Sequence, residues 1–228
     1  MRYVSINIET TGGDVDYCQV LSIDAIIDDL EVQKSFDMLP RFHAYLSYPR
    51  IMGSPRALAR NSNILKKLSE VAFPMTLEDI RKRPAGPQKY IDIVIDGRST
   101  IPAIVFRNFL KDNGYNMSSD VDDRGRICII PAGKDFAFFG RRFLESLPGL
   151  SEQVSMGHCC LDPSILYVEP NDTEIPSLSQ CIDRSGEYPR QIHNTLDDTL
   201  SVIKLLRKKW VCGVGFVTEE NILKHTFS

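Results

Sequence analysis

Hydrophobic and polar positions alternate from the first residues of the chain. Tyr3, Val4, Ile6 and Ile8 form a short apolar run with polar members between them, and Thr10-Thr11-Gly12-Gly13 closes it as a turn. Val20 to Ile27 reads as a second strand with Asp28-Asp29 as its turn. Arg41 to Ser47 reads as a third, with Phe42, Ala44 and Leu46 on one face. Three such strands in succession predict an opening antiparallel meander. The period then changes: Leu58, Asn61, Leu65 and Leu68, with Ile64 beside them, recur at helical spacing within Ala57 to Val71, which predicts one helix or two short ones.

Phe73 to Gln88 is rich in proline and charge and reads as a loop or insertion. Tyr90 to Ile95 alternates toward the turn dipeptide Asp96-Gly97, which suggests a small peripheral hairpin. Thr100 and Pro102 open a helix that runs from Ile101 to Asn113 and stops near Gly114. Arg126 to Pro131 reads as a short strand, Asp135 to Leu147 as a helix, and Cys159 to Asp162 as another short buried strand. Asp172 to Tyr188 reads as short turns and helices, and Leu196 to Lys209 as the clearest late helix. Strand–helix alternation in the second half favours right-handed parallel crossovers onto the opening meander. The expected fold class is therefore α/β, a mixed β-sheet with an initial antiparallel meander and helices packed on it. The expected organisation is a single domain over residues 1–228 with an insertion at 73–101.

Composition narrows the picture only slightly. Of 228 residues, 43% are hydrophobic and 25% charged, which is ordinary for a folded chain and argues against disorder. The formal net charge of −3 gives no general pull toward nucleic acid, so such a partner needs a local basic rim. Arg81-Lys82-Arg83, Arg141-Arg142 and Arg207-Lys208-Lys209 are the candidate runs, with solvated surface as their plain alternative. The six cysteines lack CxxC spacing, the start shows no apolar leader, and no stretch has the roughly 18 apolar residues a membrane span needs. A cytoplasmic protein with no membrane partner is the expectation.

Two places carry candidate chemistry. Asn7 and Glu9 are two apart on the first strand, so both leave the same face near its carboxyl end, where open α/β sheets place ligands. An ordinary half-exposed strand face is the alternative. On the late helix, Asp198 shares a stripe with Val202 and Leu205, an arrangement that costs free energy unless the acid is paired or metal-bound. Asp197 sits on another face and suits the helix start. His193 stands just before this helix. In the preceding predicted helix, Gly140 falls on the apolar side of Phe136, Phe143, Leu144 and Leu147. There it either permits close packing or stands in for a functional side chain.

The phrase Val4-Ser5-Ile6-Asn7-Ile8-Glu9-Thr10-Thr11-Gly12 resembles the first motif of the DnaQ-like, DEDDh-type 3'–5' exonucleases, which expects Asp-x-Glu. His193-Asn194-Thr195-Leu196-Asp197-Asp198-Thr199 resembles the last motif of that family, and Ala132 to Leu144 the middle one. The family usually has Asn where Asp135 stands and Phe-Asp where Phe139-Gly140 stands. Leu161-Asp162-Pro163 resembles a segment of members related to oligoribonuclease.

The resemblance implies a ribonuclease H-like fold and phosphodiester hydrolysis with two divalent ions, Mg²⁺ or Mn²⁺, releasing nucleoside monophosphates. It implies metal ligands at Glu9 and Asp198, a general base at His193, and substrate contacts at Asn7, Thr10, Thr11 and Phe139. Asn7 and Gly140 stand where the family has acids. An amide offers one neutral oxygen and cannot bridge two cations as a carboxylate does, so Asn7 is a weak ligand and the site holds one weakly bound ion or none. Asp135 is a candidate substitute carboxylate. The implied partner is the 3' end of single-stranded DNA or RNA, bound with activity weak or lost. The alternatives are a non-catalytic interaction or regulatory protein that holds a protein partner through an exonuclease fold, and a different hydrolase built around His158 and Asp162. Phe136, Phe138, Phe139 and Tyr17 are candidate base-stacking residues, with core filling as the plain alternative.

Overall fold

The computed structural model describes residues 1–186 and 195–214. In chain order its elements are β1 (Arg2–Thr10), β2 (Val20–Asp29), β3 (Arg41–Ser47), α1 (Pro55–Arg60), α2 (Ser62–Ser69), α3 (Leu77–Lys82), β4 (Ile93–Asp96), α4 (Ile101–Asp112), β5 (Ile127–Ile129) and β6 (Pro131–Ala132). There follow α5 (Gly140–Glu145), α6 (Leu150–Gln153), β7 (Val154–Met156), α7 (Leu178–Ser185) and α8 (Thr195–Val214). The main sheet has five strands in the order β4-β3-β2-β1-β6. β1, β2 and β3 are the predicted antiparallel meander, β6 lies parallel on the free side of β1, and β4 lies parallel to β3. This is the expected α/β fold class, a mixed sheet opened by an antiparallel meander, with one further strand added beyond β3.

Strand alternation sorts the side chains to two faces. Val4, Ile6 and Ile8 of β1, Ile23 and Ala25 of β2, and Phe42, Ala44 and Leu46 of β3 pack into one core with Val105, Phe106 and Phe109 of α4. Phe42, Phe106 and Phe109 meet edge-on and tilted, with ring centroids 5.3 Å apart in both pairs that include Phe42. Against the other face lies α8, whose Leu200, Ile203 and Leu206 join Tyr3 and Ile26 in a second cluster. No helix among the described residues is long and apolar enough to cross a membrane.

Several expectations from the sequence are corrected. The apolar run Arg126 to Pro131 is not one strand: Ile127–Ile129 pairs with β7 in a separate two-stranded sheet, and Pro131–Ala132 joins β1. The helix expected over Asp135 to Leu147 starts only at Gly140. The segment before it is a series of turns, with Asp135 at φ +56°, outside the helical region. Residues 90–96 form no hairpin, because β4 pairs with β3 instead. Cys159 to Asp162 contributes a single bridge, Leu161 to Ala132, rather than a strand. The helical stretch after β3 is two short helices that meet at Asn61, whose side-chain amide donates to Thr10 O at 3.0 Å and to Ala57 O at 3.2 Å.

Candidate functional site

β1, β3 and β6 run in the same direction, so the loops that leave their carboxyl ends share one edge of the sheet. Hydrogen bonds from backbone and side chains fasten these loops together. Ser54 N donates to Thr11 O at 2.8 Å, Thr11 Oγ1 to Met52 O at 2.5 Å, and Met52 N to Gln19 Oε1 at 2.8 Å. Gly53 makes this approach possible, since a Cβ there would lie 2.2 Å from Thr11 O. Thr10 and Thr11, expected to touch substrate, are buried, and their hydroxyls donate to the carbonyls of Gly12 and Met52. In this structure both side chains hold the loop.

Asn7 and Glu9 leave the same face of β1, as their spacing requires. Glu9 is partly buried, with Arg60 Nη2 3.8 Å from its Oε2. Burial pushes the Glu9 carboxyl above its usual range. Arg60 opposes that shift, Asp198 adds to it, and the Asn61 amide opposes it. The first turn of α8 lies against β1, where Ser5 Oγ donates at 2.9 Å to the carbonyl O of Thr199, the residue after Asp198. Two of the residues named from the sequence therefore belong to one place. His193 lies outside the described residues.

Asn7 sits across the strand pair from Asp24, and its Nδ2 is buried without a hydrogen-bond partner among the described residues. Asp24 is fully buried and its Oδ1 meets Nδ1 of His43, which is also buried. An Asp at position 7 would set a second carboxylate directly opposite this one, a destabilising like-charge pair. Gly140 is equally committed: a Cβ there would come 2.6 Å from Cδ2 of the buried Phe136 ring. Of the two roles open to Gly140 from the sequence, the geometry favours close packing.

Asp135 is exposed and is paired with Lys134, while its backbone N donates to Asp162 Oδ2 at 3.0 Å. It is not among the groups that weigh most on Glu9. Asp162 also caps the following helical turn by accepting from Ser164 N, so its carboxylate is held by structural bonds. Phe136 is core, whereas Phe138, Phe139 and Tyr17 are exposed on loops at the site edge. Among the basic runs, Arg207 is buried against Asp28, Lys209 lies over the Tyr167 ring, and Arg141 pairs with Glu145. Among the described residues the cation beside Glu9 is instead Arg60 of α1, which the sequence reading passed over along with Asp24 and His43.

Tested against the ions that the motif resemblance implies, the donors do not match. Glu9 and Asp198 are carboxylates, and Asn7 supplies only an amide oxygen. Among the described residues no group of three or more His, Cys, Asp or Glu is placed to hold a metal ion. No hydrolytic step through two ions is derived from these residues. The arrangement presents a partly buried acid with a guanidinium over it, on an edge that also carries exposed aromatic rings.

No protein-family model matches the chain, and no curated protein matches it. Among solved structures it is similar to E. coli exonuclease I in complex with a 5cy-dT13 oligonucleotide, at 10% identity and a TM-score of 0.47. The match covers 90% of this chain and 40% of exonuclease I, so the chain spans well under half the length of that protein.

Proposed function

We propose that this protein holds the 3' end of a single strand of DNA or RNA at the edge built from Glu9, Asp198 and the loops around them, and that it does not hydrolyse the strand. The observation that supports this reading is that the first turn of α8, which carries Asp198, is hydrogen-bonded to β1, which carries Glu9, while both positions where acids are missing are structurally committed. Asn7 faces the Asp24 carboxylate, and Gly140 lies under the Phe136 ring. Exposed Phe138, Phe139 and Tyr17 supply faces on which bases stack. A reducing cytoplasm suits the described cysteines, all of which are free.

Degradation of a labelled single strand, DNA and RNA in parallel with Mg²⁺ or Mn²⁺, tests the reading when run beside a binding assay on the same strands. The expected result is binding with no release of nucleotides, by the native chain and by Asn7→Asp alike. Release of nucleoside monophosphates by the native chain would overturn it. Asn7→Asp plus Gly140→Asp is expected to lose stability rather than gain activity.

A second reading, a protein-interaction module on this fold, has its own observation. Ile165, Leu166, Val168 and Ile175 are all exposed along one segment, and Phe73, at the start of the expected insertion, is 85% exposed. Failure of every strand to bind would move the assignment to this reading.

A further inference from the structure

Removing two acids from a metal-dependent site leaves the remaining carboxylates facing a phosphate of the same sign, so a strand held there needs a cation from elsewhere. Among the described residues Arg60 is the cation beside Glu9. It ends α1, where a positive charge suits the helix carboxyl terminus, and its guanidinium stands 3.8 Å from Glu9 Oε2 while remaining 72% exposed. α1 is fixed in place at both ends. Ser54 caps it and bonds to Thr11, and Asn61 ties its far end to the backbone of Thr10 beside Glu9. An ion pair this exposed is weak, so Arg60 gives up little on turning to an incoming anion. A guanidinium also presents its donors as a planar fork that fits phosphate oxygens. Arg56, one turn earlier on the same side of the helix, is exposed as well.

We propose that Arg60 is the phosphate-binding cation of this site, taking the part that divalent ions would have, with Arg56 adding a second phosphate contact. The inference rests on the binding reading above and adds that binding is independent of divalent metal.

Fluorescence anisotropy with labelled single-stranded DNA and RNA of one sequence, in EDTA and in Mg²⁺, separates the two claims. In EDTA and in Mg²⁺ the native chain should bind equally. Arg60→Gln should weaken binding roughly tenfold, equivalent to about 1.4 kcal/mol, and lower the salt dependence by roughly one phosphate contact. Glu9→Gln should tighten binding, because it removes a negative charge and releases Arg60. A metal site predicts the opposite sign for Glu9→Gln, with binding gained only in Mg²⁺, and that result would overturn the inference while leaving strand binding intact. Binding untouched by Arg60→Gln would also overturn it alone, whereas no binding by any variant would remove both claims. DNA and RNA bound alike would support a contact to the backbone phosphate, and binding that depends on the sugar in EDTA and survives Arg60→Gln would count against it.

Discussion

The face of the central sheet that packs on α4 carries Val4, Ile6, Ile8, Phe42, Ala44 and Leu46, all hydrocarbon or aromatic ring. The face beneath α8 and α2 carries Ser5, Asn7 and Glu9 on β1, Ser22, Asp24 and Asp28 on β2, and His43 on β3. On that polar face several buried groups are matched to partners distant in sequence, whereas Asn7 Nδ2 has none among the described residues. Asp28 takes Tyr3 Oη at 2.7 Å and Arg207 Nε at 2.9 Å, Asp24 takes His43, and Ser5 Oγ donates to Thr199 O at 2.9 Å. Apolar burial is non-directional and tolerates small errors, whereas buried charge is stable only with the right partner in place. The first face thus holds the fold together, and the second positions specific groups along a line that ends at Glu9.

The largest expected effect tests the apolar face. Phe106→Ala should lower stability by about 3–5 kcal/mol in urea unfolding, because it opens a cavity beneath Phe42 and Phe109. On the polar face, Arg207→Ala should cost about 3 kcal/mol by leaving the fully buried Asp28 without its guanidinium. Arg207→Met with Asp28→Leu should recover much of that loss. Recovery would show that the pair specifies partners more than it stabilises, and no recovery would show that both faces contribute alike.

Next comes the Asp24–His43 pair. His43→Leu should cost about 2 kcal/mol, and Asp24→Asn should cost less in that background than alone, with a coupling of at least roughly 1 kcal/mol in a double-mutant cycle. Additive costs would mean that the two groups do not depend on each other. Gly140→Ala should cost about 1–2 kcal/mol through contact with the Phe136 ring, and Phe136→Leu should relieve it.

The smallest effect is a less deeply buried control for the fully buried pairs. Arg184 holds the part-buried Asp172 carboxyl down to about 2 by hydrogen bonding. A depressed carboxylate contributes stability above its ordinary value near 3.8, and that contribution fades as pH falls through its folded value. The melting temperatures of the native chain and Asp172→Asn should therefore differ slightly at pH 6 and converge near pH 2. A difference as large as that of Arg207→Ala would erase the distinction between fully and partly buried pairs.

Much of the apolar face was legible in the sequence, because alternation in β1 to β3 and helical spacing in α4 repeat locally. The polar face was less so. Asn7, Glu9 and Asp198 were found through their spacing on strand and helix together with motif resemblance, but Arg60 entered no motif, and its position depends on how Asn61 and Ser54 fasten α1 to β1. One signal was present and passed over: Asp24 interrupts the apolar stretch Val20 to Ile27, and a charge there demands a buried partner. The division of Arg126 to Pro131 between two sheets was not legible, because Ile127–Ile129 finds its partner strand in Val154–Met156, far along the chain. The turns at 133–139 hid likewise behind a helical spacing of aromatic residues, since Asp135 takes a backbone conformation that no periodicity encodes.

Both borders of the main sheet are closed by backbone that belongs to no strand. Outside β6, Leu161 N donates to Pro131 O at 2.9 Å and Gly133 N to Leu161 O at 3.0 Å; outside β4, Met75 N donates to Val94 O at 2.7 Å. These contacts occupy the groups that would otherwise template a further strand, and the border strands themselves are only two and four residues long. A chain built this way resists accretion through the borders of its main sheet.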